Sequence, residues 1–235
     1  MDSSTPNVSV IVPVYNEKEN LSQTIEEVEQ ALTAPAVTYE LIFVNDCSSD
    51  GSREQLNALS EQHPPVVASH LEQRSGQSAA MLKGMEIASG ATIITMDGDC
   101  QNNPADIPLL LETLESCDVV CGFRAKRADS WSRRAGSRLA NKVRNWITKD
   151  GIRDTGCSLK AFRSECCQDL PPLEGVHRFM PAYFMLNGRS IKEVPVDHRP
   201  RTRGNSKYTN LSRLPRTIAD LFGFRWYRKR FLKNG

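Results

Sequence analysis

Thr92-Ile93-Ile94-Thr95-Met96-Asp97-Gly98-Asp99-Cys100-Gln101-Asn102-Asn103-Pro104 is the stretch around which the chain reads. Its first half is a β-branched apolar run between turn signals, the pattern of a buried strand. Two aspartates and a glutamine follow where that strand must end. In open α/β sheets ligands bind in the crevice beyond the carboxyl ends of the strands. Asp97 and Asp99 are one residue apart. In extended chain alternate side chains share a face, so both carboxylates, and Gln101 after them, can address one site. Hard divalent cations, Mg²⁺ or Mn²⁺, take such oxygen ligands and complete their shell with phosphate oxygens. A polar turn closing a strand would use the same residue types, so the rest of the chain has to decide.

Upstream, Val8 to Val14 reads as a first strand, with Tyr15-Asn16-Glu17 at its end. A helix over about Glu19 to Thr33 follows, carrying Leu21, Ile25, Val28 and Leu32 on one face. Tyr39 to Val44 is a second strand, ending in Asn45-Asp46 and a turn-forming run to Ser52; Asp50 or Ser52 is the expected cap of a helix starting near Arg53. Val66 to Leu71 is the third strand, and Ala79 to Ala88 a helix of small residues. Downstream, Ile107 to Leu114 is a helix and Asp118 to Gly122 a fifth strand. Strand and helix alternate at short spacing, which argues for an α/β fold with a mostly parallel central sheet and helices on both faces. If the first, second and fourth strands are neighbours, the acidic ends at Glu17, Asp46 and Asp97/Asp99 face one crevice.

Beyond Gly122 the character changes. Ser130 to Ile147 reads as a very basic helix, Cys157 to Phe162 as a short strand, Phe179 to Leu186 as a helix and Ser190 to Val196 as a strand. Residues 199–208 read as a loop that orders over a ligand, and Leu211 to Phe222 as a last helix before an aromatic and basic tail. The net charge of +2 on 235 residues hides this polarity. Residues 1–123 hold 4 Lys and Arg against 19 Asp and Glu, and residues 124–235 hold 26 against 9. The second half is thus expected to meet something anionic: nucleic acid, a phosphorylated substrate or anionic lipid. Seven cysteines without a Cys-x-x-Cys pair fit free thiols in a reducing compartment. No apolar run approaches the ~18–20 residues of a membrane span, and the first residues lack the basic and apolar regions of a secretory signal.

No Gly-x-Gly-x-x-Gly follows the first strand and no Gly-Lys-Ser/Thr loop occurs, so dinucleotide and Walker-type phosphate binding are excluded. Acidic strand ends cannot hold a pyrophosphate directly; a cation must bridge. Asp46 and Glu17 are then expected to be free to accept hydrogen bonds from a base or ribose.

Val12-Pro13-Val14-Tyr15-Asn16-Glu17, Val44-Asn45-Asp46-Cys47-Ser48-Ser49-Asp50-Gly51-Ser52 and Met96-Asp97-Gly98-Asp99-Cys100-Gln101 together resemble the family 2 glycosyltransferases of GT-A fold. Asp154-Thr155-Gly156-Cys157-Ser158-Leu159-Lys160 and Arg203-Gly204-Asn205-Ser206-Lys207-Tyr208 resemble later motifs of the dolichyl- and polyprenyl-phosphate sugar transferases within it. The resemblance spans about residues 7–222, read as one GT-A domain, with 223–235 as a basic aromatic tail. It implies that Pro13, Tyr15, Glu17, Val44 and Asp46 bind the nucleoside, that Asp97 and Gly98 line ribose and phosphate, and that Asp99 and Gln101 hold Mg²⁺ or Mn²⁺. It further implies that Arg201 and Lys207 clamp the donor phosphates and that Arg124 and Arg138 stand near the reacting groups. The implied reaction is inverting transfer of a hexose, from GDP-mannose or UDP-glucose, to a polyprenyl or dolichyl phosphate. The implied setting is peripheral, on the cytoplasmic face of a membrane, with no nucleic acid as partner. A lipid phosphate is already an anion and needs no general base. A sugar hydroxyl as acceptor would need one, and Asp154 is the candidate. A non-enzymatic polyanion binder would explain the basic half but leave the acidic strand ends idle.

Overall fold

In a computed structural model of the chain, residues 6–33, 37–125, 144–201 and 210–232 are described, the first eight of the last segment as backbone only. Seven strands form one sheet in the order β3-β2-β1-β4-β6-β5-β7. They are β1 (Val8–Val14), β2 (Tyr39–Asn45), β3 (Val66–His70), β4 (Thr92–Thr95), β5 (Val119–Arg124), β6 (Lys160–Arg163) and β7 (Ile191–Val196). β1 pairs in parallel with both β2 and β4, β2 with β3, and β5 with β7. β6 runs antiparallel to both its neighbours, β4 and β5. The expected mostly parallel sheet is therefore present, with one reversed strand wedged into it.

The helices are α1 (Leu21–Ala31), α2 (Ser52–Gln62), α3 (Gln77–Ile87), α4 (Ile107–Leu114), α5 (Val176–Leu186) and α6 (Asn210–Arg230). Alternation along the strands sends successive side chains to opposite faces, and the core divides accordingly. Val10, Val12, Leu41, Phe43 and Ile94 pack under α1, α2 and α4 through Ile25, Val28, Leu56 and Leu110. Ile11, Ile42, Val44, Ile93 and Phe162 pack under α3, α5 and α6 through Met81, Phe179, Phe184 and Phe224.

Three local expectations change. The cap position of α2 is Gly51, in the left-handed region at φ 89°, with no side-chain cap; Asp50 instead accepts from the Ser52 N–H and hydroxyl (3.0 and 2.5 Å) within the turn. Cys157 to Leu159 precede β6 rather than belong to it. The last helix does not stop at Phe222 but continues to Arg230, because Leu221, Phe224 and Tyr227 repeat an inward stripe against α5. Of the basic helix expected over 130–147, residues 144–148 are helical, and residues 126–143 lie outside the described residues.

Candidate active site

β2, β1 and β4 lie side by side and parallel, so their carboxyl ends open on one edge of the sheet. The chain leaves each of them by the same device. Asn16, Cys47 and Cys100 sit at φ 52°, 54° and 58°, a left-handed backbone that a non-glycine residue adopts at a cost and that concentrates at functional sites. The first two turns are then tied together. Asn16 N–H donates to Ser48 Oγ at 2.9 Å, Ser49 N–H to Asn16 Oδ1 at 2.8 Å and Lys18 N–H to Asp50 Oδ2 at 3.0 Å. Asp50's carboxyl is held below its usual range: burial pushes it up, and the Ser52 and Lys18 hydrogen bonds outweigh burial. Asp50 is thus a fastener of the rim.

The turn after β4 is pinned by Asn102, whose Oδ1 accepts from Asp97 N–H (2.9 Å) and Ser158 Oγ (2.8 Å). Gly98 meets the β1 end so closely that a Cβ there would stand 3.2 Å from Pro13 O and 3.3 Å from Val12 Cγ1. Together these turns enclose a cleft of about 360 Å³, within the range of small-molecule sites. Pro13, Tyr15, Glu17, Asp46, Asp97, Gly98, Asp99, Gln101, Arg124 and Arg201 all line it.

Asp99 is the electrostatic centre of the cleft. Burial, and then the neighbouring Asp97 carboxylate, push its carboxyl from 3.8 up to about 6; the Gln101 N–H and Arg201 pull the other way. Arg201 stands as counter-cation, 2.5 Å from Glu17 and 3.8 Å from Asp99. Both causes, burial first and the second carboxylate next, disfavour the ionised form, and a divalent cation bound to Asp99 would offset them. The donors suit Mg²⁺ or Mn²⁺: Asp97 and Asp99, with Gln101 oriented by donating Nε2 to Arg199 O at 3.3 Å. Among the described residues no group of three or more His, Cys, Asp or Glu is placed to hold a metal, so phosphate oxygens of a ligand would complete such a shell.

Opposite the acids, Arg124 makes a two-pronged pair with Asp154, Nε to Oδ2 at 2.6 Å and Nη2 to Oδ1 at 2.7 Å. Hydrogen bonding to Asp154 raises the Arg124 guanidinium further above its already high value. Asp154 also accepts from the Arg124 backbone N–H at 3.3 Å. A carboxylate engaged this way is a poor general base.

Two expectations about the nucleoside end are corrected. Val44 does not line the cleft: strand alternation turns its side chain into the core on the α3 side, where it is fully buried. Asp46 does line the cleft but is not free; its oxygens accept from the backbone N–H groups of Ser75 (2.6 Å) and Gly76 (2.9 Å). Glu17 is likewise engaged, by Arg201 and by Asn20 Nδ2 at 2.7 Å. Arg138, Lys207 and most of the expected 199–208 loop lie outside the described residues. The sequence reading missed Arg74, whose guanidinium lies 4.1 Å from the centre of the Tyr15 ring. It also missed Gln77, which donates to Asp97 Oδ1 at 2.8 Å, and Ser158 and His198 on the cleft wall. Arg74 had one signal, as one of only four cations in the acidic half, placed just before the Gly76 turn.

Residues 9–170 match the family model for glycosyl transferase family 2. The chain belongs to that family. An undecaprenyl-phosphate 4-deoxy-4-formamido-L-arabinose transferase of Serratia proteamaculans is 37% identical over 216 residues, 91% of this chain and 66% of that protein. The protein of the same name from Aeromonas hydrophila is 36% identical over 209 residues, 86% of this chain and 62% of that one. This family 2 chain thus spans about two thirds of the length of the curated relatives it matches. Among solved structures, glucosyl-3-phosphoglycerate synthase from Mycobacterium tuberculosis, in complex with Mn²⁺, UDP and glucosyl-3-phosphoglycerate, superposes with a TM-score of 0.72 at 19% identity, over 98% of this chain and 82% of that one. A mannosyltransferase from Pyrobaculum calidifontis in complex with GDP-mannose and Mn²⁺ superposes at 0.68 and 18%, over 94% and 64%. The fold is the GT-A fold that the strand-end motifs implied.

Proposed function

We propose that this family 2 chain transfers a sugar from a nucleoside diphosphate to the phosphate of a polyprenol. The observation that carries this reading is the two-sided cleft: three acidic strand ends face Arg124, whose orientation Asp154 fixes. The name of the Serratia relative supports the acceptor class.

The division of labour follows from charge. Tyr15, stacked by Arg74, offers a flat surface for the base. Pro13 and Glu17 border that end of the cleft. Asp46 acts indirectly, by fixing the 75–76 turn that opens α3 and presents Gln77 to Asp97. Asp99 and Gln101, with Asp97 beside them, would hold Mg²⁺ or Mn²⁺, which supplies charge neutralisation for the departing nucleoside diphosphate. The Mn²⁺ in the complexes of the structural relatives supports a divalent ion. With a cation held by those acids, Arg201 would be freed from Glu17 and Asp99 to pair with the diphosphate, a role the family resemblance also gives to Lys207. On the acceptor side Arg124, with Arg138, positions a phosphate whose oxygen attacks the anomeric carbon in a single inverting displacement. No proton has to be removed from that nucleophile, which fits the engagement of Asp154. Positioning and electrostatic stabilisation are then the whole of the catalysis.

The donor is a hexosyl nucleotide, GDP-mannose or UDP-glucose, or a nucleotide of the formamido-pentose in the relatives' name. The acceptor lipid makes the enzyme peripheral at the cytoplasmic face of a membrane; among the described residues no helix is long and apolar enough to cross one. The test incubates the protein with detergent-dispersed polyprenyl phosphate, Mn²⁺ and each labelled donor in turn. A lipid-linked, alkali-stable sugar phosphate is expected with one donor. Transfer to a sugar hydroxyl instead, or no lipid product with any donor, would overturn the reading.

A further inference from the structure

α6 has two apolar faces. The inner one is spent on the domain: Phe224 stacks on Phe179 at 5.9 Å and meets the edge of Tyr183 at 5.1 Å, and Tyr227 meets Tyr183 at 5.3 Å. The outer one is not. Ile218, Phe222 and Trp226 follow one another at four-residue spacing, which places them on one strip of the helix, and they are 45%, 64% and 59% exposed. Large apolar residues in such a strip are not explained by folding, since the opposite face already anchors the helix.

Trp146 extends the strip sideways. It is 70% exposed, and the helical stretch that carries it is fastened to α6 by Arg228 Nη1 donating to Ile147 O at 2.5 Å. Arg225 lies over the Trp146 ring at 5.5 Å, and Arg230 over the Trp226 ring at 4.8 Å. Lys229 continues the basic border, and Leu232, 84% exposed, ends it. Between Arg199 and Gly235 the one acidic residue is Asp220. It is turned inward, accepting from Arg178 Nη1 at 2.9 Å and packing against Gly175.

We infer that Trp146 and the outer strip of α6 form one surface that docks flat on an anionic lipid bilayer. The occupant is identified by chemistry. Tryptophan and phenylalanine ringed by guanidinium and ammonium groups, on a helix whose one acid, Asp220, is turned inward, match the headgroup boundary of an anionic leaflet. A second copy of this chain would bring a second set of cations against the first. The helix is pinned to the domain by its other face, so docking fixes the orientation of the whole domain. This deepens the proposed lipid-phosphate acceptor and takes its purpose from it, but its test does not use catalysis.

The full chain is co-sedimented with vesicles of phosphatidylcholine containing 30 mol% phosphatidylglycerol, and with phosphatidylcholine alone, free of polyprenyl phosphate and nucleotide. The wild type is expected to partition onto the anionic vesicles and to leave them at 0.5 M salt. A W146Q/F222Q/W226Q variant is expected to partition at least tenfold less, while L109Q, which removes an exposed leucine on the opposite side of the sheet, binds as wild type. Circular dichroism and the melting temperature confirm that the triple variant is folded. Should it be unfolded, quenching of Trp146 and Trp226 by brominated phosphatidylcholine in a W131F variant, which leaves these two as the chain's tryptophans, decides instead, and absence of quenching overturns the inference. Unchanged partitioning of a folded triple variant also overturns it, as does a vesicle-free dimer that the triple variant dissociates, since the strip would then be a contact between copies. Failure of the transfer assay with intact vesicle docking would remove the acceptor reading and leave this surface standing.

Discussion

Replacing Asp99 with Asn should make the free protein more stable and unable to respond to its ligands. Asp99 is 18% exposed by side chain and its carboxyl is raised from 3.8 to about 6, by burial first and by Asp97 next. A raised carboxyl binds its proton more tightly in the folded than in the unfolded chain. The ionised group therefore opposes folding, not at all below about pH 3, increasingly as pH rises from about 4 to 6, and fully above that. The lift is worth about 3 kcal/mol at pH 7.5. Asparagine removes the charge but keeps a buried polar group, so about half of that, roughly 1–2 kcal/mol, should be recovered. For a chain of this size that is a rise in melting temperature of about 3–6 °C, shrinking towards zero near pH 4. Ligands act the other way: Mn²⁺ with a nucleoside diphosphate at about a hundred times its dissociation constant should stabilise the wild type by about 2.7 kcal/mol and leave the variant unmoved. Differential scanning fluorimetry at pH 4 and 7.5, with UDP, GDP, Mn²⁺ and EDTA, reads all of this, and turnover should fall at least about a hundredfold. A variant that melts below the wild type at pH 7.5 without ligand, or that keeps the Mn²⁺-dependent rise, refutes the assignment.

Asp154→Asn should lower kcat by about tenfold or more while leaving the donor KM little changed, because Arg124 loses its two-pronged anchor but the nucleotide end is untouched; it should also cost roughly 2–3 kcal/mol by denaturant titration. An equal rise in donor KM would place Arg124 on the wrong side of the cleft. Arg201→Ala should bind Mn²⁺ alone more tightly by calorimetry, since the guanidinium competes for Glu17 and Asp99, yet bind Mn²⁺ with nucleotide less tightly; weaker binding in both cases counts against the exchange of partners. Gly98→Ala should cost about 1–3 kcal/mol and abolish nucleotide-dependent stabilisation, as its Cβ would stand 3.2 Å from Pro13 O; a wild-type thermal shift would show that the turn gives way freely.

The strand ends were legible because their signals are local. A β-branched run closed by acids tells which residues leave the sheet and on which edge, and Glu17, Asp97 and Asp99 fell where that logic put them. Which strand lies next to which is not local. The reversal of β6 between β4 and β5 depends on pairings between residues far apart in the chain, and alternation in Lys160 to Arg163 names a buried face without naming a neighbour. Val44 was misplaced because the resemblance carries a role by motif position and not by the face the side chain takes, whereas counting alternation from the core residue Ile42 would have sent it to the core. Asp46 was assigned to a ligand because the Ser75 and Gly76 N–H groups that occupy it come from the turn after β3. The end of the last helix was legible and overlooked, since Leu221, Phe224 and Tyr227 keep a helical period beyond Phe222.

The reversed strand also bears on how the chain is made. β1 to β4 are complete once Thr95 has been synthesised, and β3-β2-β1-β4 can assemble as they emerge. β4 then presents Thr92 to Thr95 as a bare edge of β-branched residues until β6, beginning at Lys160, arrives to cover it. At translation rates of about 5–20 residues per second the gap lasts roughly 3–13 s, long enough for such an edge to recruit a foreign strand. The N-terminal half is therefore the early-folding and vulnerable half. Fragments cut between residues 100 and 160 should be born with their binding turns nearly formed and their sheet open, and should be found in inclusion bodies or on chaperones rather than in solution.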